Sequence, residues 1–309
     1  MALSIVVAVY NSETSLELLV QRIDVILGTV CAPLELILVN DCSPDRSWDV
    51  IEKLERQFPW VRGINLVRNF GQHNALLCGI RAARYPLTVT MDDDLQNPPE
   101  EVPKLLEKLH VEGVDVVYGT PERESHGLWR DMSSVITKLV LKHAMGAETA
   151  GNVSAFRCFR TALRGAFAEY GSPYVSIDVL LTWGTRRFAS VSVRNEPRIY
   201  GTSNYTVRKL IVHAMNMMTG FSTLPLQLAS MAGFGFMLFG LLILAYVIGR
   251  FVLQGAVVPG FAFLASIVAI FSGIQLFALG VIGEYLARMH VRSMGQPSYV
   301  VKPEMGTDG

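Results

Sequence analysis

The 309-residue sequence lacks the features that mark several large classes of protein. Its 27 basic and 27 acidic residues cancel, so no overall positive field is present to attract nucleic acid. Its four cysteines are scattered and form no CxxC pair, which indicates reduced thiols rather than a disulfide or zinc framework. It contains neither GxGxxG nor GxxxxGK(S/T), which argues against a dinucleotide or ATP site.

The first ten residues lack the parts of a secretion signal. They are apolar, but they include no basic segment and no small-residue cleavage site, so we expect a strand there instead. Apolar residues themselves are abundant, because they make up 50% of the chain and the mean hydropathy is +0.34. That value is high for a purely soluble protein, and it indicates that part of the chain lies outside water.

The first two thirds of the chain alternate between strand and helix patterns. Continuous apolar runs such as SIVVAVY are typical of strands that are buried on both faces. We predict strands at residues 4–10, 34–40, 63–67, 87–91 and 114–118, and helices at residues 15–27, 48–58, 72–83 and 98–109. The alternation predicts an α/β fold with a parallel, doubly wound sheet, in which ligands bind beyond the carboxyl ends of the strands.

Two long apolar stretches follow. Residues 226–253 contain one charge, Arg250, and residues 259–283 contain none. Each exceeds the roughly 20 residues that a helix needs to cross a bilayer, so we predict a transmembrane hairpin of residues 226–253 and 259–286. Basic residues on both sides place its two ends in the cytoplasm: Arg208, Lys209, Arg288, Arg292 and Lys302. A buried helical hairpin in a soluble core is the alternative.

The segment before the hairpin, residues 205–225, has the pattern of an amphipathic helix. Its apolar residues recur at helical spacing while Arg208 and Lys209 lie elsewhere, which suits a membrane surface. Residues 128–143 have a similar pattern, for which packing against the sheet is an equal alternative. We therefore predict a cytoplasmic domain at residues 1–204, a juxtamembrane helix, the two spans, and a cytoplasmic tail at residues 287–309.

Three consecutive carboxylates directly follow the fourth predicted strand. Because side chains alternate along an extended chain, we expect Asp92 and Asp94 to share one face, with Asp93 pointing away and Gln96 returning to the first face. Two carboxylates and an amide oxygen suit Mg²⁺ or Mn²⁺. Solvated acids at the end of a strand are the alternative.

The residues after this cluster carry the signals of a helix start. Asn97 can cap a helix, Pro98 suits its first turn, and Glu100 lies where a capping box has its acid. Polar residues also follow the other strands, so that they converge on one edge of the sheet: Tyr10, Asn11, Glu13, Asp41, Ser43, Arg68, Asn69 and Gly71.

The blocks VAVYNSE, LILVNDCSPD, RNFGQHNAL and DDDLQNPPEE together resemble the family 2 glycosyltransferases of GT-A fold. Within that family, DLQNPPEE, RIYGTSNYTVRKL and GVIGEYLARMH are similar to the polyprenyl-phosphate glycosyltransferases, in particular those that transfer aminoarabinose. The resemblance covers nearly the whole chain. It implies a catalytic domain with a mostly parallel, Rossmann-like sheet, followed by the transmembrane hairpin.

The resemblance also implies roles for individual residues. For the nucleotide sugar these are Tyr10, Glu13, Asp41, Arg68, Asn69, Gly71 and Asp92. For a Mg²⁺ or Mn²⁺ ion they are Asp92, Asp94 and Gln96. For the acceptor phosphate they are Arg130, Arg157, Arg160, Arg198 and Ser203, and for catalysis Asp94, Arg123, Arg130 and Arg198.

Four positions depart from the usual family pattern. Asn40 replaces the first acid of a common acidic pair, Asp93 replaces a common alanine, and Asn204 replaces the lysine of the acceptor loop. Ala155 lies in a segment that often carries an aspartate. These changes leave the expected metal site intact and bear on the choice of sugar and on the acceptor loop.

The implied reaction is inverting transfer of a sugar from a nucleotide diphosphate, UDP in the bacterial relatives, to a polyprenyl phosphate such as undecaprenyl phosphate. The acceptor phosphate is already anionic, so it needs no base, and Asp178 is the only evident candidate for one. One alternative is a processive polysaccharide synthase, although the chain has no QxxRW motif. The others are a catalytically silent scaffold and a soluble transferase whose hairpin mediates oligomerisation.

The expected location is the bacterial inner membrane, with two spans and with the catalytic domain and both termini in the cytoplasm. The expected partners are a nucleotide-diphosphate sugar, a polyprenyl phosphate lipid, the membrane and further copies of the same chain. Nucleic acid is not expected as a partner.

Overall fold

The computed structural model describes residues 1–28, 30–121, 152–196, 224–254 and 261–303. The chain forms two compact units. The first comprises Met1–Ala214 together with Gly295–Gly309, and the second comprises Met215–Met294. The first unit is therefore discontinuous in sequence, and the apolar helices lie between its two parts.

A seven-stranded sheet forms the centre of the first unit. Its strands are β1 (Leu3–Val9), β2 (Leu34–Asn40), β3 (Val61–Asn65), β4 (Leu87–Met91), β5 (Val116–Pro121), β6 (Arg157–Arg160) and β7 (Phe188–Val193). They lie in the order β3-β2-β1-β4-β6-β5-β7. All neighbours are parallel except that β6 runs antiparallel to β4 and β5, so the predicted mostly parallel α/β sheet is confirmed.

Helices cover both faces of this sheet. The long ones are α1 (Leu16–Leu27), α2 (Ser47–Gln57), α3 (Gln72–Ala82), α4 (Val102–Val111) and α5 (Ile177–Gly184). Apolar side chains of α1, α2 and α4 join the strands in one buried core, represented by Ile23, Ile51 and Leu105. α3 packs against β1 and β2 separately from that core, and Gly79 permits the close approach, because a Cβ there would lie 2.3 Å from Cγ1 of Val6.

The order of the strands determines where their polar ends meet. β1 lies between β2 and β4, and all three run in the same direction, so their carboxyl ends are neighbours. From β1 the chain proceeds outward to β2 and β3 on one side, and then crosses to β4 on the other side of β1. Open α/β sheets bind ligands at such a switch point. Tyr10, Asp41 and Asp92, the residues that directly follow these three strands, are thereby brought to one edge.

The second unit contains two long helices, α6 (Leu224–Gln254) and α7 (Phe261–Ser293). Each contains a candidate membrane span, Leu226–Arg250 and Ile270–Ser293, in which none of the tested window is buried in protein. The helices contact each other, and the rings of Phe236 and Phe271 pack edge to face with centroids 6.0 Å apart. Long apolar helices with exposed apolar side chains suit lipid rather than a protein core.

The predicted tail at residues 287–309 begins inside helix α7. Helix α7 extends to Ser293, beyond the expected end of the second span at residue 286, and residues 298–302 then pair with the first unit. Val301 forms an antiparallel bridge with Leu66, just after β3. The tail therefore covers part of the open edge of the sheet and is an integral part of the first unit.

Candidate active site

A pocket of about 420 Å³ lies at the carboxyl edge of β1, β2 and β4. Residues from the ends of all three strands line it, together with the start of α3: Ala8, Val9, Tyr10, Asp41, Asn69, Gly71, Gln72, Asp92, Asp93, Asp94 and Gln96. The volume is in the range of small-molecule sites in proteins. Seven of the predicted site residues are among those that line the pocket, namely Tyr10, Asp41, Asn69, Gly71, Asp92, Asp94 and Gln96.

The backbone turns sharply at three points on this edge. Asn11, Cys42 and Leu95 have φ angles of 57°, 54° and 60°, and they are the non-glycine residues with positive φ in the described ranges. Each follows one of the strands β1, β2 and β4 by two to four residues. Such conformations are unfavourable for residues with a Cβ, above all for a bulky residue such as leucine, and they cluster at functional sites.

A turn in the chain, and not the alternation of faces along a strand, brings the three carboxylates to the pocket. The chain leaves the extended conformation at residues 93–94, so the alternation of faces used in the sequence analysis does not apply there. Asp92, Asp93 and Asp94 all line the pocket. Gln96 returns to it through the turn, with its backbone N–H donating to Oδ1 of Asp94 at 3.1 Å. The expectation that Asp93 points away was therefore wrong in its geometry.

Hydrogen-bond partners nevertheless separate the three carboxylates. Asp93 Oδ2 accepts from the backbone N–H of Tyr10 at 3.2 Å and from the hydroxyl of Ser12, so it ties the end of β4 to the loop after β1. Asp92 Oδ1 accepts from Nε2 of Gln72 at 2.6 Å, a group that itself lines the pocket. Asp93 therefore links β4 to the loop after β1, whereas the bonds to Asp92 and Asp94 come from Gln72 and Gln96, which themselves line the pocket.

The electrostatics of the cluster favour a cation. Burial and the neighbouring charges of Asp94 and Asp93 raise the pKa of Asp92 to about 6, while Arg157 and Gln72 act in the opposite direction. Burial likewise raises the pKa of Asp93. Crowded carboxylates of this kind are stabilised in their ionised form by a nearby positive charge, and their oxygens are hard donors of the type that Mg²⁺ and Mn²⁺ prefer.

The oxygens of Asp92, Asp94 and Gln96 fit a divalent ion whose remaining coordination positions are filled by a bound substrate. In the ranges the structure describes, no group of three or more His, Cys, Asp or Glu side chains is arranged to hold a metal by itself. Two carboxylates and the Gln96 amide leave coordination positions for phosphate oxygens and water. Mg²⁺ is commonly held in this way, by one or two carboxylates plus phosphates of the substrate.

Asp41 shapes the second wall of the pocket. It is 2% exposed, and its two oxygens accept from the backbone N–H groups of Phe70 at 2.7 Å and Gly71 at 2.8 Å. Burial raises its pKa, and these two N–H groups partly offset the effect. Its carboxylate therefore holds the turn at residues 68–71, hereafter the donor turn. Tyr10, 47% exposed, lies across the pocket and offers an aromatic face.

Gly71 provides a test of the donor turn. Its φ of +93° is strained for any residue with a Cβ, although no atom lies within 4 Å of the position a Cβ would take. We expect Gly71→Ala to cost about 1–3 kcal/mol of stability. It should also weaken nucleotide binding roughly tenfold, because the two N–H bonds to Asp41 depend on this turn. Thermal unfolding and calorimetric titration with UDP measure the two effects.

Gly113 supplies the matched control. Its φ is +61°, its Cβ position is equally open, and it precedes β5 at the opposite edge of the sheet. Gly113→Ala should cost about 1–2 kcal/mol of stability and leave nucleotide affinity unchanged. Equal loss of affinity in both variants would contradict a specific role for the donor turn.

Two predicted nucleotide-binding residues have other contacts. Glu13 Oε2 accepts from the backbone N–H of Arg46 at 3.0 Å, at the start of α2, and does not line the pocket. Arg68 is exposed on the donor turn with its guanidinium carbon 4.6 Å from the centroid of the Phe70 ring. The structure therefore brings Arg68 near the pocket and uses Glu13 to hold the loop after β1.

Arg157 and Asp178 form a buried ion pair next to the pocket. Arg157 is 1% exposed, and its guanidinium donates to Oδ1 of Asp178 and, through Nε, to Oγ1 of Thr90 at 3.0 Å. The Tyr118 hydroxyl donates to the same Asp178 oxygen at 3.1 Å. Neither charged residue lines the pocket, and both are engaged in this pair, so their predicted roles at the acceptor phosphate and as a base stay predictions.

Arg160 lies at the edge of the sheet opposite the pocket. It pairs with Leu87 at the amino end of β4, whereas Asp92 follows the carboxyl end of that strand. Five strand residues separate the two edges, which is on the order of 16 Å. Its Nε donates to Asp115 at 3.2 Å, so the structure does not bring Arg160 to the pocket.

The remaining predicted residues lie outside the described ranges: Arg123, Arg130, Arg198 and Ser203. The predicted amphipathic helices at residues 128–143 and 205–225 fall there too, apart from the last two residues, which belong to α6. Their assignments remain predictions.

The sequence analysis missed Arg22. From α1, its guanidinium bonds both oxygens of Glu100, at 3.0 and 2.8 Å, and both oxygens of Glu196, at 3.2 and 3.3 Å. The backbone N–H of Glu196 in turn donates to the carbonyl of Gln96 at 2.9 Å. Arg22 thus joins the loop after β4, which contains Asp94 and Gln96, to the segment after β7. No local signal distinguishes it from a surface arginine of an amphipathic helix.

This pairing also corrects the predicted helix start. Glu100 bonds Arg22 and caps no helix, and a 3₁₀ turn at Pro99–Glu101 precedes α4. Asn97 makes no cap either, since Pro98 occupies the N-cap position. The two prolines favour this tight turn because neither has an N–H to bond.

Comparison with known proteins identifies the family. The model for "Glycosyl transferase family 2" matches residues 4–171, which include every residue that lines the pocket. The chain belongs to glycosyl transferase family 2. It is a glycosyltransferase, as the resemblance implied.

Curated members of the family match over nearly the full chain. The undecaprenyl-phosphate 4-deoxy-4-formamido-L-arabinose transferase of Shewanella sediminis is 36% identical over 304 residues, covering 97% of this chain and 91% of the relative. The enzyme of the same name from Pseudomonas paraeruginosa is 31% identical over 302 residues, covering 97% and 89%. The match therefore includes the two apolar helices.

Solved structures support the fold of this glycosyltransferase. Glucosyl-3-phosphoglycerate synthase from Mycobacterium tuberculosis, in complex with Mn²⁺, UDP and glucosyl-3-phosphoglycerate, superposes with a TM-score of 0.52 at 16% identity, covering 71% of this chain and 77% of that one. The same enzyme with phosphoglyceric acid gives 0.51 at 19% identity, covering 71% and 78%. The shared part agrees with the expected GT-A fold.

Proposed function

We propose that this glycosyltransferase moves a sugar from a nucleotide diphosphate to undecaprenyl phosphate, by inverting, metal-dependent transfer. The observation that carries the proposal is the convergence of Asp92, Asp94 and Gln96 on a pocket beside the donor turn. The carboxylates attract a cation, which in turn suits the diphosphate of a nucleotide sugar. The neighbouring backbone and the aromatic ring of Tyr10 can hold the nucleoside.

The names of the relatives support the choice of acceptor. Enzymes that match 97% of this chain are named for transfer to undecaprenyl phosphate, and the match extends through both candidate spans. A polyprenyl phosphate is a membrane lipid, and two apolar helices would keep the enzyme at the surface where that lipid is found. The proposed sugar class is a 4-deoxy-4-amino pentose or its formylated form, in line with the same names.

Asp92, Asp94 and Gln96 are the residues that would hold Mg²⁺ or Mn²⁺. When bound, the ion neutralises charge on the departing diphosphate. Asp93 keeps the loop after β1 in place through Tyr10 and Ser12, and so fixes one wall of the pocket. Asp41 fixes the opposite wall through Phe70 and Gly71. Substrate orientation therefore depends on groups that are already hydrogen-bonded.

The proposed reaction needs no general base. The acceptor phosphate is anionic near neutral pH, so it can attack the anomeric carbon without losing a proton. Asp178, the only evident candidate for a base, is committed to Arg157 and Tyr118. Arginines suit the phosphates on both substrates, and Arg123, Arg130 and Arg198 are proposed for this task on the resemblance alone.

The proposed location is the bacterial inner membrane, with the catalytic unit and both termini in the cytoplasm. The basic residues Arg288, Arg292 and Lys302 after the second span support this orientation. Self-association of the hairpin is proposed as well, because a two-helix anchor leaves large apolar faces.

The decisive experiment uses the purified full-length protein in detergent with undecaprenyl phosphate. UDP-4-deoxy-4-formamido-L-arabinose, UDP-glucose and GDP-mannose are offered in turn with Mn²⁺ or Mg²⁺, and lipid products are identified by mass. We expect one glycosylated lipid, formed only from a UDP-linked pentose, with the signal lost in EDTA and restored by excess Mn²⁺.

The alternatives give different results in the same assay. A polymer of several sugars on one acceptor would favour a processive synthase. UDP binding without transfer to any acceptor would favour a silent scaffold. Extraction from membranes without detergent would favour a soluble enzyme with an oligomerising hairpin. Absence of any lipid-linked product from a broader panel of nucleotide sugars would remove the proposed acceptor.

A further inference from the structure

The tail at residues 298–302 contacts the rest of the first unit through both its backbone and its side chains. The backbone N–H of Lys302 donates to the carbonyl of Asn65 at 2.7 Å, and the carbonyl of Val300 accepts from the N–H of Val67 at 3.1 Å. Between these bonds, Val301 faces Leu66 in an antiparallel bridge. The tail thus extends the sheet at β3, the edge strand in the observed order.

Side chains at the start of the tail hold it in the same place. Ser298 is 3% exposed, and its hydroxyl donates to the carbonyl of Ser172 at 2.8 Å. The ring of Tyr299 lies 5.7 Å from the guanidinium carbon of Arg81, and burial raises the pKa of the nearby Cys78 thiol while Tyr299 lowers it. Both of the latter residues belong to α3, whose first turn lines the pocket.

The segment that the tail holds leads directly into the donor turn. Residues 65–67 are fixed on their inner side by the bond from Leu66 N–H to the Asn40 carbonyl, at 3.0 Å. On their outer side, the tail supplies the bonds to Asn65 and Val67. The next residues, 68–71, form the donor turn, of which Asn69 and Gly71 line the pocket.

We propose that residues 298–302 are a positioning segment for the nucleotide, acting through residues 65–67 on the donor turn. The inference rests on the proposed function only in that the pocket takes a nucleotide diphosphate. Edge strands that stay unpaired are free to fray, and a fraying β3 end would let the donor turn move away from Asp41. The tail prevents that movement from outside the pocket, without touching the substrate.

Two proline substitutions separate the hydrogen bond from other effects. Lys302→Pro removes the N–H that donates to Asn65, and it leaves the tail otherwise extended. Val301→Pro is the matched control, because among the described residues the Val301 N–H donates no backbone hydrogen bond. A proline is tolerated where the N–H of an edge strand faces solvent. Lys302→Ala controls for loss of the charge.

The measurement is calorimetric titration of the full-length protein in detergent with UDP and Mn²⁺. We expect Lys302→Pro to weaken UDP binding about fivefold to tenfold, as the loss of one backbone bond at a binding site predicts, and Val301→Pro and Lys302→Ala to stay within about twofold of the wild type. KM for the sugar donor should rise in parallel, while KM for the lipid acceptor stays the same. A purely stabilising tail would lower the unfolding temperature without this change in affinity.

A disulfide that ties the tail to residue 66 should restore the UDP affinity that Lys302→Pro removes. Val301 and Leu66 face each other between the two ladder bonds, a position where Cα atoms in antiparallel pairs are about 4.5 Å apart and a disulfide fits. We expect Leu66→Cys/Val301→Cys/Lys302→Pro to bind UDP with wild-type affinity when oxidised and weakly when reduced.

The outcomes distinguish this inference from the proposed function. If wild-type protein binds no UDP, the nucleotide pocket itself fails. If wild-type and Lys302→Pro proteins bind UDP equally, or if the oxidised triple variant remains weak, the positioning role of the tail is overturned while the pocket stands. Equal weakening by the two prolines would also overturn it, since only one of them removes a bond.

Discussion

We expect Asp94→Asn, which removes one of the proposed metal ligands, to reduce sugar transfer by on the order of 10³-fold while the protein still folds and inserts. The expected loss follows from the several kcal/mol of charge stabilisation that a metal ion supplies to a departing diphosphate, at 1.36 kcal/mol for each factor of ten. Asp94 lines the pocket and is 9% exposed, so asparagine occupies the same space without the charge that would hold the ion. The rate of lipid-product formation, with Mn²⁺ titrated into the assay, measures the effect.

The adjacent residue provides the control. Asp93→Asn removes the same charge from the same cluster, but its remaining oxygen can still accept from Tyr10 and Ser12. We expect a loss of less than about tenfold, consistent with a weakened neutral bond. Equal loss in both variants would undo the separation between a metal ligand and a structural carboxylate.

The largest effect on stability is expected from Asp178→Asn. The substitution leaves Arg157, 1% exposed, as an uncompensated buried charge, and breaking such a pair costs about 3–5 kcal/mol. For a unit of this size, that lowers the unfolding temperature by roughly 10 °C. Thermal unfolding of the purified protein in detergent measures the change. Arg157→Met/Asp178→Asn should lose less than the sum of its single variants, because the two residues interact directly.

An exposed ion pair is the control for this variant. Lys53 and Glu17 are 2.7 Å apart with side chains 64% and 48% exposed, and Glu17→Gln should cost less than about 1 kcal/mol.

The activity of the same Asp178→Asn protein, assayed well below its unfolding temperature, tests whether Asp178 acts as a general base. Loss of a general base costs roughly 10²–10⁴-fold in rate, so activity within about tenfold of the wild type would exclude that role.

Sequence patterns predicted the strands that are buried on both faces of the sheet. Each of the five strands expected from apolar runs lies within a few residues of an observed strand, because a strand covered on both faces needs a continuous apolar stretch. β6 was not predicted, since four residues that contain two arginines carry no such signal. Its antiparallel insertion between β4 and β5 depends on the fold as a whole.

The sequence predicted which residues line the candidate site better than it predicted how their side chains are oriented. Asp92, Asp94 and Gln96 were expected at the pocket because they follow a strand, and they do line it. Alternation of faces gave the wrong orientation for Asp93, because the chain already leaves the extended conformation at residues 93–94. Arg160 was assigned through the resemblance of its segment to the family, and only the register of β6 against β4 shows that it lies at the far edge.

The discontinuity of the first unit has a consequence for biosynthesis. A ribosome adds residues from the N-terminus onward, and domains generally fold as they emerge. The whole sheet is present once β7 has left the ribosome, but the segment that closes the β3 edge follows only after α6 and α7. A chain that stalls before its apolar helices are complete would therefore lack the segment that pairs beside the donor turn. The order of synthesis thereby delays completion of the proposed donor site until both candidate membrane spans have been made.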